Sequence, residues 1–125
     1  MILLELDDLL LLHQIAIQQY GGAPEVRDKG LVESALLSTE AGFGEYSKYP
    51  TLEEKAARLC YSIVLNHGFV DGNKRTGAAA MLTMLKMNGV RLVYSQKELA
   101  ELVLAVAAGD KGYNDLLNWI VDHMQ

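Results

Sequence analysis

Residues 67–75, His-Gly-Phe-Val-Asp-Gly-Asn-Lys-Arg, bring several chemically capable side chains into one short segment. Histidine titrates near neutral pH, so His67 could accept a proton from an attacking hydroxyl group. Asp71 offers hard carboxylate oxygens, which suit a Mg²⁺ ion that bridges phosphate oxygens. Lys74 and Arg75 supply positive charge for the same phosphates. The segment is therefore the candidate active site, and its composition is typical of phosphoryl or nucleotidyl transfer.

Two predicted helices flank this segment and would position its side chains. The first covers residues 51–66, where Thr51 and Glu54 form the Thr-x-x-Glu pattern of a capping box. The second covers residues 73–88 and ends at Gly89 in a left-handed cap. Free N–H groups and the helix dipole favour a phosphate at the start of the second helix.

Several of these residue types also have simpler structural roles. Residues 71–72 could form a turn, and Asn73 could cap the helix that follows it. Lys74 and Arg75 could be solvated charges, although cations at a helix N-terminus oppose the dipole by about 0.3–1 kcal/mol. Phe69 is predicted to anchor the loop in the core rather than to touch a substrate. Together, however, the residues favour catalysis more than any one of them does alone.

A Walker A loop is the obvious competing phosphate-binding motif, and its spacing is wrong here. That motif requires a glycine five residues after Gly68, followed by Lys and then Ser or Thr. The corresponding positions hold Asn73, Lys74 and Arg75. The sequence therefore excludes a Walker A loop at this site.

Residues 67–75 instead resemble the Fic/Doc family, whose core pattern is His-x-Phe-x-Asp/Glu-Gly-Asn-x-Arg in a loop joining two helices. Upstream segments 20–22 and 27–36 are also similar to the family, so the resemblance covers nearly the whole chain. Fic adenylyltransferases usually have glycine where this chain has Lys74, and arginine where it has Ala78. Both differences favour the Doc, or death-on-curing, branch.

The resemblance implies a kinase-like reaction by a toxin. In Doc-like toxins the Asn-Lys-Arg version is associated with transfer of the terminal phosphate of ATP, rather than AMP, to a Ser or Thr hydroxyl of a protein. The implied target is a translation factor, for which the family suggests elongation factor Tu. The resemblance assigns His67 as general base, Asp71 as the Mg²⁺ carboxylate and Gly72 as part of the anion-binding turn. It assigns the nucleotide-phosphate contacts to Asn73, Lys74 and Arg75.

Two alternatives from other classes stay open. One is a Fic-type enzyme that attaches AMP to a protein hydroxyl. The other is a catalytically silent module that binds an antitoxin. The chain lacks the Ser/Thr-x-x-x-Glu-Gly/Asn inhibitory motif of many Fic proteins. Inhibition is therefore expected from a separate antitoxin, whose helix would lie along the apolar surface beside the active loop.

The rest of the chain predicts an all-helical bundle in one domain, residues 1–125. Further helices are predicted over residues 9–20, 31–39, 95–109 and 114–123, and residues 90–94 are rich in β-branched and aromatic side chains. Between them, residues 41–50 form a Gly- and Tyr-rich connection. The resemblance makes this connection a flap, a hairpin or loop that holds the target protein. Its candidate target contacts are Tyr46, Ser47 and Tyr49.

Composition excludes several other classes of function. The chain has 125 residues, of which 50% are hydrophobic, and this is the size of one domain with a sizeable core. A net charge of −5, without a basic stripe, argues against a nucleic-acid groove. Residues 1–12 contain acidic residues and no basic lead, so they match neither a signal peptide nor a membrane span. We therefore expect a cytoplasmic protein.

A few other residues carry smaller predictions. Cys60 is the single cysteine, and its place on an apolar helix face predicts a buried thiol. His13 and His123 have no second metal ligand at a matching spacing, which argues against a zinc site. Arg27 and Asp28 could pair with each other, cap the second helix or lie near the phosphates.

Overall fold

The computed structural model describes all 125 residues, which form six helices and one small hairpin. The helices are α1 (Leu6–Tyr20), α2 (Lys29–Ser38), α3 (Leu52–Asn66), α4 (Asn73–Met87), α5 (Gln96–Ala107) and α6 (Tyr113–His123). Antiparallel strands β1 (Gly42–Phe43) and β2 (Tyr46–Ser47) lie between α2 and α3. The predicted helical bundle with a short flap hairpin is confirmed. None of the helices combines the length and the apolarity needed to cross a membrane.

Helix α3 is the centre of the fold and packs against α2, α4, α5 and α6. More than half of its residues are buried, and a core of 22 buried residues draws on every helix. A Cβ atom on Gly77 would lie 2.9 Å from Cγ2 of Val64, so this glycine lets α4 approach α3 closely. That contact fixes the two helices that flank the candidate active site. Cys60 is buried as predicted, and burial raises the pKa of its thiol to about 12.

The N-terminal helices begin earlier than predicted. Helix α1 starts before residue 9, because the N–H of Glu5 donates to the carboxylate of Asp8 and opens the helix there. Helix α2 starts before residue 31, because the side chain of Asp28 accepts a hydrogen bond from the N–H of Leu31. The prediction that Asp28 caps the second helix is therefore confirmed.

The C-terminal region differs more from the predicted pattern. Residues 90–94 do not form a strand, and they contribute only one isolated bridge, between Leu92 and Met124. Ser95 caps α5 by accepting a hydrogen bond from the N–H of Glu98. The carboxylate of Glu98 does not complete a capping box with Ser95, because it binds Nε2 of His123 at 2.7 Å. At the start of α5, a hydrogen bond to a distant residue thus takes the place of a local capping hydrogen bond.

Candidate active site

The loop between α3 and α4 begins at His67, which ends α3. His67 has a left-handed backbone conformation, with φ 51° and ψ 46°, and it is the only non-glycine residue with a positive φ. This conformation costs a residue that carries a Cβ atom about 1–2 kcal/mol. Surrounding contacts must therefore hold it. The His67 side chain is exposed and open to a substrate.

Phe69 anchors the loop in the core, as predicted. Its ring is 1% exposed and stacks on the ring of His13, with centroids 3.8 Å apart. Nε2 of His13 donates to the main-chain carbonyl of Asp71 at 2.8 Å, because a carbonyl oxygen only accepts. Asn73 does not cap α4; its side chain accepts from the N–H of Phe69 and donates to the carbonyl of Phe69. The loop is thus held both from within and from α1.

The carboxylate of Asp71 is exposed but fixed on one side. Its Oδ2 accepts a hydrogen bond from the N–H of Ala23 at 2.7 Å. Gly22 permits this approach, because a Cβ atom there would lie 3.0 Å from the Cβ of Asp71. No group of three or more potential metal-binding side chains surrounds the carboxylate. A single carboxylate such as that of Asp71 suits a Mg²⁺ ion that takes most of its oxygen ligands from phosphate and water.

Helix α4 begins without a side-chain cap. Its N-cap is Gly72, which has a φ of 83°, and no side chain accepts hydrogen bonds from the first N–H groups. Lys74 and Arg75 lie exposed in its first turn. By contrast, a side chain caps each of α2, α3 and α5: Asp28, Thr51 and Ser95. The free N–H groups, the helix dipole and the two cations make the start of α4 suitable for an anion.

Lys74 and Arg75 also line an apolar groove between α1, α4 and α5. The guanidinium carbon of Arg75 lies 3.6 Å from the centre of the Tyr20 ring, a cation–π contact at the end of α1. The groove has a volume of about 360 Å³, and 11 of its 15 lining residues are hydrophobic. Neither His67 nor Asp71 lines it. The groove therefore adjoins the candidate active site. Lys74 and Arg75 lie at the start of α4 and also line the groove.

The predicted flap is the hairpin formed by β1 and β2. Phe43 pairs with Tyr46 across the hairpin, and the two residues are 81% and 60% exposed. Ser47 is partly exposed. Tyr49 is only 5% exposed, because it packs edge-on against Tyr113 with ring centroids 5.2 Å apart. The structure thus leaves Tyr46 and Ser47 open to a target but covers Tyr49.

Arg27 and Asp28 form no ion pair with each other. Asp28 caps α2, whereas Arg27 reaches the end of α3. Nε of Arg27 donates to the main-chain carbonyl of His67 at 2.6 Å, and Nη2 donates to the carbonyl of Asn66 at 3.2 Å. The guanidinium therefore binds main-chain oxygens that flank the catalytic candidate.

Three further residues at or near the site are not predicted from the sequence. Phe43 lies between two glycines, which signals an exposed turn that could have been noticed. Tyr20 ends a predicted helix before two glycines, but nothing local links it to Arg75. His13 lies 58 residues from Asp71 in the chain, so only the folded structure reveals that hydrogen bond.

Comparisons of the sequence with known proteins show the family to which the chain belongs. Residues 3–85 match the sequence model of the Fic/DOC family. The chain is 44% identical to Toxin Doc of Mycolicibacterium smegmatis over 89 residues, which is 71% of this chain and 66%, just under two thirds, of that toxin. It is 34% identical to Protein kinase doc of Escherichia phage P1 over 104 residues, 83% of this chain and 81% of that protein. The chain therefore belongs to the Fic/DOC family, in its Doc-like branch, which confirms the resemblance found in the sequence.

Proposed function

We propose that the protein is a toxin that transfers the terminal phosphate of ATP to a Ser or Thr hydroxyl of a protein target. The observation that carries this proposal is the start of α4, where an uncapped helix end, Lys74 and Arg75 adjoin the loop that bears Asp71. Water can bond the free N–H groups, but two cations at a helix N-terminus oppose the dipole, so a bound anion is favoured there. Similar proteins named a toxin and a protein kinase support the same conclusion.

In this proposal His67 is the general base. Its imidazole removes the proton of the target hydroxyl while the hydroxyl oxygen attacks the γ phosphorus of ATP. A bond forms between that oxygen and phosphorus, and the bond from phosphorus to the β–γ bridging oxygen breaks. ADP leaves with the electron pair of the broken bond. The imidazole then gives its proton to solvent and is ready for another turnover.

The other site residues bind and orient the nucleotide. Asp71 would hold Mg²⁺, whose charge would offset that of the phosphate oxygens. Gly72 and the first N–H groups of α4 surround a phosphate, and Lys74 and Arg75 neutralise it. The side chain of Asn73 is committed to Phe69, so its main-chain N–H is the group free for the nucleotide.

Two positions favour transfer of the γ phosphate over transfer of AMP. Lys74 replaces the glycine that AMP-transferring relatives usually have, and it adds a charge at the phosphate site. Ala78 replaces an arginine and lines the apolar groove instead. AMP transfer is therefore the alternative outcome of the test below.

The target and the antitoxin bind to different surfaces in this proposal. A target segment docks against the flap, where Phe43 and Tyr46 are exposed and Ser47 is partly exposed. This docking would bring its hydroxyl to His67. We propose a translation factor such as elongation factor Tu as this target, in the cytoplasm. The antitoxin supplies a helix whose apolar face fills the groove beside the loop. An acidic side chain on that helix would meet Lys74 and Arg75.

The test uses ATP that is radioactively labelled at either the α or the γ phosphate, and asks which label is transferred to protein. The protein is incubated with Mg²⁺, labelled ATP and a bacterial lysate, and protein-bound label is measured. We expect protein-bound label from the γ position only, and we expect Asp71→Asn to abolish it. The matched variant Asp110→Asn should retain the label, because Asp110 is exposed and distant from the loop in the sequence. Label from the α position would establish AMP transfer. No label from either position would favour a silent binding module.

A further inference from the structure

The segment that precedes α2 runs beside the active loop and is bonded to it. The N–H groups of Arg27 and Asp28 both donate to the carbonyl of Gly68, at 2.8 and 2.9 Å. The N–H of Val70 donates to the carbonyl of Glu25 at 3.1 Å. These main-chain bonds fix the middle of the loop. They do not reach the carbonyl groups on either side of the His67 α-carbon.

The side chain of Arg27 extends this contact to the end of α3. Its guanidinium donates to the carbonyls of Asn66 and His67. The last carbonyls of a helix lack partners within the helix and carry the negative end of its dipole. Helix α3 has no basic residue in its own last turn. Arg27 therefore supplies the positive charge and the donors that the helix itself does not.

The two bonded carbonyls define the conformation of His67. The carbonyl of Asn66 lies in the peptide plane before the His67 α-carbon, and the carbonyl of His67 lies in the plane after it. The angle between these two planes is set by φ and ψ of His67, which are 51° and 46°. A rigid, planar guanidinium that holds both carbonyls therefore constrains both angles. This constraint falls on the only non-glycine residue with a positive φ.

We propose that Arg27 is a positioning residue for the transfer reaction, and this inference rests on the function proposed above. Arg27 touches the main chain of His67 and not the reacting atoms. By fixing the backbone from which the imidazole extends, it sets where the general base meets the target hydroxyl. A lysine at this position keeps the charge but offers a single ammonium group in place of the fork, so it constrains the two carbonyls less well.

The first experiment compares Arg27→Ala, Arg27→Lys and a matched control, Arg91→Ala, which removes an exposed arginine that makes no side-chain hydrogen bond. Initial rates of γ-phosphate labelling in the lysate are measured over a range of ATP concentrations. Misplacing a reacting group by about 1 Å costs up to about a hundredfold in rate, so we expect Arg27→Ala to lower the maximal rate by about ten- to a hundredfold. The KM for ATP should change by less than about twofold, because the phosphate contacts on α4 are intact. Arg27→Lys should recover part of the rate, and Arg91→Ala should match the parent protein.

The second experiment needs no activity. Hydrogen–deuterium exchange of the amides of residues 67–73 is measured on the same variants, with melting temperatures recorded to show that each is folded. We expect faster exchange across this loop in Arg27→Ala, intermediate exchange in Arg27→Lys and no change in Arg91→Ala.

The outcomes separate the two proposals. Unchanged loop exchange in Arg27→Ala would overturn the positioning role whatever the activity. Faster exchange with an undiminished rate, or a rate loss that is entirely a rise in KM, would also overturn it. A parent protein that transfers no phosphate would refute the proposed function, and loop exchange would then decide by itself whether Arg27 holds His67.

Discussion

Helices α3 and α4 flank the candidate active site, yet they begin in opposite ways. At the start of α3, Thr51 accepts from the N–H of Glu54, and the carboxylate of Glu54 accepts from the N–H of Thr51. At the start of α4, Gly72 offers no side chain, and Lys74 and Arg75 add positive charge to the positive end of the dipole. The first arrangement stabilises its helix, and the second destabilises it until an anion binds. The start of α3 therefore serves the fold, whereas the start of α4 is suited to an anionic ligand.

The largest effect is expected at His67, where α3 ends and the loop to α4 begins. His67→Asn removes the base but keeps a side chain that adopts the left-handed conformation readily. General-base catalysis contributes about 10²–10⁴-fold, so γ-phosphate labelling should fall by about that factor while the melting temperature stays the same. Labelling at the parent rate in a folded His67→Asn variant would show that His67 is not the base.

The comparison between the two helix starts is tested most directly by removing a cation from α4. Lys74→Ala should slow labelling by about ten- to a hundredfold, because a hydrogen bond to a charged group is worth about 1.5–3 kcal/mol. The same change should raise the free energy of unfolding by about 0.3–1 kcal/mol at low salt, because the cation opposes the dipole. Urea unfolding and initial rates measure the two quantities.

Lys86 is the matched control, because it is exposed in the last turn of the same helix, where a cation favours the dipole. Lys86→Ala should lower the free energy of unfolding slightly and leave labelling unchanged. If Lys74→Ala behaved in the same way as Lys86→Ala, the start of α4 would not bind phosphate.

Removing the cap of α3 at Thr51 is expected to have the reverse effect, a loss of stability without a loss of activity. Thr51→Ala removes the cap and should lower the free energy of unfolding by about 1 kcal/mol, without changing the labelling rate below the melting transition. Thr51→Ser retains the hydroxyl and should restore most of the stability. A large loss of activity in folded Thr51→Ala would mean that the start of α3 also takes part in the reaction.

The parts of the fold that sequence reasoning predicted well depend on neighbours in the chain. The Thr51–Glu54 box, the left-handed Gly89 and the apolar face around Cys60 are local patterns, and each appears in the structure. The candidate site could also be proposed from the sequence, because its chemically capable residues lie close together in the chain. Phe69 was correctly predicted in the core, where its large apolar ring anchors the loop.

The parts that were not predicted depend on contacts between distant segments. Nothing near Arg27 in the sequence indicates that it binds the end of α3, 39 and 40 residues away. The sequence predicts Tyr49 on the flap surface, but Tyr113 covers it in the folded chain. Asn73 was assigned to the phosphate or to a cap, yet its side chain is used to hold Phe69. Residue type and spacing indicate the candidate site, but only the tertiary contacts show how its loop is held.

The start of helix α5 is intermediate between the fully capped start of α3 and the uncapped start of α4. The effect predicted there is the smallest of the series. Glu98 leaves the local capping box and binds His123, whose Nδ1 also contacts the carbonyl of Trp119 at 2.7 Å. Both partners accept, so both ring nitrogens donate only in the protonated form. The Trp119 hydrogen bond first, and then Glu98, raise the pKa of His123 above the ordinary histidine value.

Protonated His123 therefore favours the folded state. Its contribution is fully present below the unfolded-state pKa of about 6.5 and is lost as the pH rises through the raised folded-state pKa. We expect the free energy of unfolding to decrease between these two pKa values, and this decrease to disappear in His123→Gln. Urea unfolding at a series of pH values on both proteins measures it. Parallel pH profiles for the two proteins would show that Glu98 has left its helix cap without gaining a charged partner.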